Sequence, residues 1–159
     1  QNNGDAMTQT AQTADFEPFD ASNWRIGIVV AQFNKDITAQ LQESAIARAV
    51  DYGIEKAAID IFPVAGAIEI PLVLQHMAKS GKYQALLAVG CVIRGATPHF
   101  DYVCNFVNEG ILRVQLDNDM PIGFGVLTCN DETQAKERAH LGGEHLDAVL
   151  QQAKLLIKD

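Results

Sequence analysis

"YQALLAVGCVIRGATPHFDYV", residues 83–103, sets an apolar run against an amphipathic one through a short polar hinge. Tyr83–Ile93 is apolar without alternation, as in a strand buried on both faces. Phe100, Val103, Val107, Ile111 and Val114 then recur at helical spacing and mark a long helix ending before "DNDMP". Within the hinge, Thr97 suits a helix N-cap, Pro98 the first helical position and Gly95 a tight backbone turn. A doubly buried strand that feeds a capped helix is half of a β-α-β unit, which predicts a parallel sheet.

The same alternation extends in both directions. "IGIVVA" (Ile26–Ala31) predicts a first strand, and Ile37, Leu41, Ala45 and Ala49 a helix that stops at "YGI" (Tyr52–Ile54). Ala57–Val64 reads as a second strand and Gly66–Gly81 as a second helix, with Pro71 tolerable in its first turn. Pro121–Thr128 is the fourth strand, followed by a short helix over about Glu132–Ala139. Gly142–Gly143 is expected to separate that helix from a last one carrying Leu146, Val149, Leu150, Ala153 and Ile157. Strands alternating with helices imply an α/β domain with a four-stranded parallel sheet covered on both faces and joined by right-handed crossovers. This domain is expected over residues 24–159. Residues 1–23 are expected to be a flexible segment, with Met7 a natural start and the first six residues a cloning remnant. Phe16, Phe19 and Trp24 suggest that the end of this segment docks on something.

With 159 residues and 48% hydrophobic content the chain can bury one core. A net charge of −8 argues against a general nucleic-acid binder but leaves room for a small anion beside a local arginine. Cys91, Cys104 and Cys129 lack CxxC spacing and read as buried thiols in a reducing compartment, not as a zinc or disulfide site. No apolar run approaches the roughly 20 residues of a membrane span, and no signal peptide is visible, so the expected location is cytoplasmic.

In parallel α/β sheets ligands gather beyond the carboxyl ends of the strands. Those stretches here are "AQFNKD", "VAGAIEIP", "IRGATPHF" and "LTCNDET". The helix start after Ile93 offers unpaired N–H groups to a phosphate, with Gly95 and Thr97 as contacts. His99, in the first turn, is placed to shuttle protons. Phe33 suits a stacking platform for a flat heterocycle. Glu69 serves either as a helix-dipole partner or as an acceptor for ligand hydroxyls. His76, His140 and His145 read as structural.

"GAIEIPLV", "GKYQALLAVGCVIRGATPHFDYV" and "PIGFGVLT…ETQAKERA" together resemble the lumazine synthases of riboflavin biosynthesis, over about Arg25 to Asp159. The resemblance implies a flavodoxin-like three-layer α/β/α sandwich with a four-stranded parallel sheet. It also implies a transferase that condenses 5-amino-6-(D-ribitylamino)uracil with 3,4-dihydroxy-2-butanone 4-phosphate, without metal or cofactor. Assembly into pentamers or larger shells is implied, with riboflavin synthase as a candidate partner. Position by position, it sets Phe33 against the pyrimidine ring, Ala67, Ile68 and Glu69 at the ribityl side, and Val92 and Ile93 along the pyrimidine. Gly95, Ala96 and Thr97 flank the phosphate, and His99 transfers protons. Phe124 and Arg138 correspond to residues lent by a neighbouring subunit, Arg138 gripping the phosphate.

Three departures from the family pattern stand out. Gln32 precedes Phe33 where arginine is common, and Ala65 replaces a proline. After Arg138 the chain reads "HLGGEHLD" in place of a longer lysine-bearing turn, with Glu144 near the lysine's position. This third departure keeps a non-catalytic lumazine- or flavin-binding relative as the alternative. A flavodoxin-type FMN carrier would want a hydroxyl-rich loop after strand one, and a phosphoacceptor domain an aspartate after strand three; neither is present.

Overall fold

The computed structural model describes residues 16–157, and the expectations for residues 1–15 lie outside that range. The elements run β1 (Ile26–Ala31), α1 (Lys35–Asp51), β2 (Ile59–Val64), α2 (Ile70–Lys79), β3 (Ala85–Ile93), α3 (His99–Asn118), β4 (Ile122–Cys129), α4 (Glu132–Arg138) and α5 (Gly142–Leu156). All strand pairs are parallel, in the order β2-β1-β3-β4. Successive side chains of a strand point to opposite faces, so a central strand feeds two cores. Ile28 packs with Leu41, Leu87 and Leu146 beneath α1 and α5. Val29 packs with Leu74, Leu86 and Val107 beneath α2 and α3. The result is a flavodoxin-like three-layer sandwich. The edge strand β4 shows what burial on both faces removes elsewhere: its Phe124 and Thr128 are exposed.

The stop of α1 follows the predicted glycine. Gly53 takes φ 81°, its N–H donates to Val50 O, and the Ile54 N–H reaches back to Ala49 O, which is a Schellman motif. Other boundaries shift. Lys56–Ala58 winds into a 3₁₀ turn, so β2 begins at Ile59, and β3 begins at Ala85. Ala67–Glu69 forms a second 3₁₀ turn before α2. α3 continues through Asn118 and stops at Asp119 with φ 47°.

Gly142–Gly143 is not a separator; both residues belong to the first turn of α5. A Cβ on Gly142 would lie 1.9 Å from the Leu41 carbonyl oxygen, so the glycine lets α5 press backbone to backbone on α1. The Ser44 hydroxyl completes the contact, donating to His140 O and accepting from the Gly143 N–H, each at 2.8 Å. The link between α4 and α5 is the 3₁₀ turn Ala139–Leu141.

Phe19 and Trp24 do dock, and they dock on their own chain. The Phe19 ring lies edge-on to Trp24 (5.2 Å) and Tyr52 (5.0 Å), with the Lys154 ammonium 4.6 Å from its centre. Ala21 is buried and its N–H donates to Tyr52 O at 2.8 Å. Among the described residues no helix is long and apolar enough to cross a membrane.

His145 is held between α5 and β4, with its buried Nδ1 unpartnered among the described residues and close to Gly125. Burial pushes its pKa below the ordinary 6.5. The unfolded chain thus takes up this proton before the folded one does. Stability should be full above about pH 6.5 and fall as the pH drops below it. The check is the urea midpoint of wild type and His145→Gln at about pH 7.5 and about pH 5.5. Identical pH slopes in the two proteins would refute the assignment.

Candidate active site

A cleft of about 370 Å³ opens at the carboxyl edge of the sheet, against the first turn of α3. Its floor follows from how β1 ends. Gln32 and Phe33 continue the β1–β2 ladder by donating to Val64 O (2.8 Å) and Ala65 O (3.0 Å). Asn34 then adopts a left-handed conformation, and its side-chain amide donates to Cys91 O at 2.9 Å, tying the end of β1 to β3. This sharp turn leaves Phe33 73% exposed at the cleft, as a platform requires.

The turn after β2 supplies Gly66, Ala67, Ile68 and Glu69 to the wall. One Glu69 carboxylate oxygen accepts from the Gly66 N–H at 2.8 Å, so this side chain braces the turn while facing the cleft. Val92 and Ile93, the half-buried last residues of β3, form the apolar side. Gly95, Thr97 and His99 complete the rim, with His99 as the first residue of α3.

The N-cap of α3 is Pro98, one residue later than the spacing predicts. Pro98 has ψ 2°, short of helical, so the first helical residue is His99. Thr97 still reaches the helix end, its hydroxyl accepting weakly from the His99 N–H at 3.4 Å.

Nine of the twelve predicted site residues thus line one cleft: Phe33, Ala67, Ile68, Glu69, Val92, Ile93, Gly95, Thr97 and His99. Three do not. Ala96 lies on the exposed loop outside it. Phe124 projects from the edge strand β4, and Arg138 ends α4 with its guanidinium on Gln134 O at 3.0 Å. Gly66, Cys91, Phe100 and Val103 are lining residues the pattern missed. Helical periodicity reports that Phe100 and Val103 share an inward face, not that this end of the face borders a cavity. Burial, then the nearby Cys129, pushes the Cys91 thiol up to about 12, which keeps it protonated and a poor nucleophile.

The arrangement offers a stacking surface, apolar walls, the N–H groups of a long helix for an anion and an accessible imidazole. It suits a flat heterocycle beside a phosphate ester, with proton transfer between them. No group of three His, Cys, Asp or Glu among the described residues is placed to hold a metal ion. The sequence from residue 23 to residue 157 matches the family model described as 6,7-dimethyl-8-ribityllumazine synthase. With nearly the whole chain matched and the fold in agreement, this protein belongs to the lumazine synthase family.

Proposed function

We propose that the chain condenses 5-amino-6-(D-ribitylamino)uracil with 3,4-dihydroxy-2-butanone 4-phosphate, giving 6,7-dimethyl-8-ribityllumazine, phosphate and water. Family membership supports a transferase of riboflavin biosynthesis that acts on small molecules and assembles into oligomers. The observation that carries the specific reaction is the gathering of Phe33, Glu69, Ile93, Thr97 and His99 around one cleft.

In this reading Phe33 stacks on the pyrimidine while Val92 and Ile93 exclude water from its edge. Ala67, Ile68 and Glu69 face the ribityl chain. Gly95, Ala96 and Thr97 present the α3 N-terminus to the phosphate. A neighbouring subunit contributes Phe124 and Arg138; both lie outside their own chain's cleft and are exposed, as lending them requires. The uracil's amine attacks the ketone and water leaves as the imine forms. Phosphate is eliminated, and ring closure releases a second water. Each step moves protons without a redox change, which suits one histidine and an anion site.

His99→Ala should therefore leave the fold and pyrimidine binding intact and slow turnover by about 10²-fold or less, at the low end for a general acid–base group because imine chemistry is partly spontaneous. Turnover unchanged across the pH range would remove His99 from the mechanism. The shortened turn after Arg138, with Glu144 exposed in the first turn of α5, favours a second reading as a lumazine- or flavin-binding relative. Steady-state appearance of the lumazine chromophore, measured beside direct ligand binding, separates the two: binding without turnover selects the second.

A further inference from the structure

The loop Gly95–Pro98 has little to hold it from within. Gly95, Ala96 and Thr97 are exposed, and nothing lies within 4 Å of a Cβ built on Gly95. The position of such a loop depends on its ends, and Arg94 grips both. Its backbone N–H donates to Cys129 O at 2.8 Å, fixing where the chain leaves the sheet. Its guanidinium is not among the groups that line the cleft. It lies 4.4 Å over the Phe100 ring and 3.5 Å from the Asp101 carboxylate, both in the first turn of α3. Its Nε donates to Asn130 Oδ1 at 3.0 Å, just beyond β4.

Asn130 is itself fixed, because its N–H donates to Gln134 Oε1 at 2.7 Å while the Asp131 carboxylate accepts from the Gln134 N–H at 2.9 Å. Each exposed contact of Arg94 is weak alone. A planar fork that stacks on one partner and reaches two others on different elements is nonetheless restricted to one orientation.

We propose that Arg94 is a positioning residue that preforms the anion loop by bracing the first turn of α3 against the end of β4. It touches no substrate. Phe100 lines the cleft and His99 adjoins it, so the same brace orients the ring and the imidazole. The proposal rests on the reading of Gly95–Thr97 as the phosphate loop.

The test uses the assembled enzyme with Arg94→Gln, Arg94→Lys, Asp101→Asn and the Arg94→Gln/Asp101→Asn pair, and Arg138→Ala as reference. The readouts are both Michaelis constants, kcat, and calorimetric binding of inorganic phosphate. Arg94→Gln should weaken phosphate binding and raise KM for the butanone phosphate about 5- to 20-fold, with KM for the uracil within about 2-fold. Arg94→Lys should show the same defect, because an ammonium neither stacks nor forks in this geometry. Asp101→Asn should share part of it, and adding that change to Arg94→Gln should make nothing worse.

Full rescue by lysine would mean that charge alone matters and would overturn the proposal. So would full additivity of the pair, or normal phosphate binding in Arg94→Gln. If Arg94→Gln fails to assemble, Asp101→Asn decides, since it leaves the Phe100 stack and the Asn130 bond in place; unchanged phosphate affinity then overturns the brace. A wild type that binds phosphate without forming lumazine defeats the proposed reaction, while the Arg94 comparison still stands on phosphate binding. Weakened binding in Arg138→Ala alone defeats the brace and leaves the reaction standing.

Discussion

Arg138→Ala is expected to raise KM for the butanone phosphate about 10- to 150-fold, the equivalent of a charge-assisted contact of roughly 1.5–3 kcal/mol, with little change for the uracil. A guanidinium fork matches a phosphate dianion in charge and shape. Arg138 is the exposed last residue of α4, and its Nη1 donates to Gln134 O within its own helix, which orients the fork. Because it lies outside its own chain's cleft, its action requires an adjacent subunit. Co-refolding Phe33→Ala with Arg138→Ala tests that requirement. Every site in each pure mutant carries one defect, whereas mixing lets some interfaces collect both defects and others neither. Activity of the mixture should exceed the average of the two mutants. Averaged activity in oligomers shown by mass to be mixed would refute the shared site, and normal phosphate binding by Arg138→Ala would refute the clamp.

The second large effect is structural. Gly142→Ala should lower stability by about 3 kcal/mol or more, the upper range for overpacking, because its Cβ would meet backbone that cannot rotate away. The Leu41 oxygen would be 1.9 Å away and its carbonyl carbon 2.8 Å. Relief would require lifting α5 from α1. That motion strains the Ser44 clasp, the Arg48–Asp147 ion pair and the Tyr52 hydroxyl, which donates to Asp147 at 2.8 Å. The measurement is Tm at fixed protein concentration, with a drop of about 6–12 °C expected for a domain of this size. Gly95→Ala, built into open space, serves as the control and should stay within about 0.5 kcal/mol. Equal melting of the two variants would show that α5 tolerates the displacement.

The α/β alternation, the four strands and the sheet edge where the cleft opens are all legible in the order of the residues. The signals are local: a run such as Leu86–Val89 is apolar on both faces because helices cover both, and the spacing of Leu41, Ala45 and Ala49 records a buried helical stripe. Phe33, Glu69 and His99 were legible as residues of one cleft because the ends of parallel strands must converge. Ala67, Ile68, Val92 and Ile93 were legible only through the family resemblance, since their side chains carry no chemistry of their own.

The remaining features depend on packing between elements distant in the chain. A Gly-Gly pair has one composition whether it links helices or lets them touch, and only the proximity of Leu41 distinguishes the two. Phe19 and Trp24 are apolar enough to bury, yet Tyr52, against which the Phe19 ring packs, lies far along the chain. Phe100 and Val103 border a cavity because the helix stripe extends past the end of the sheet, a matter of register that periodicity does not carry. Arg94 turns from the cleft toward Asp101 and Asn130 because its direction is set by partners on two other elements, and side-chain direction is a property of the packed chain.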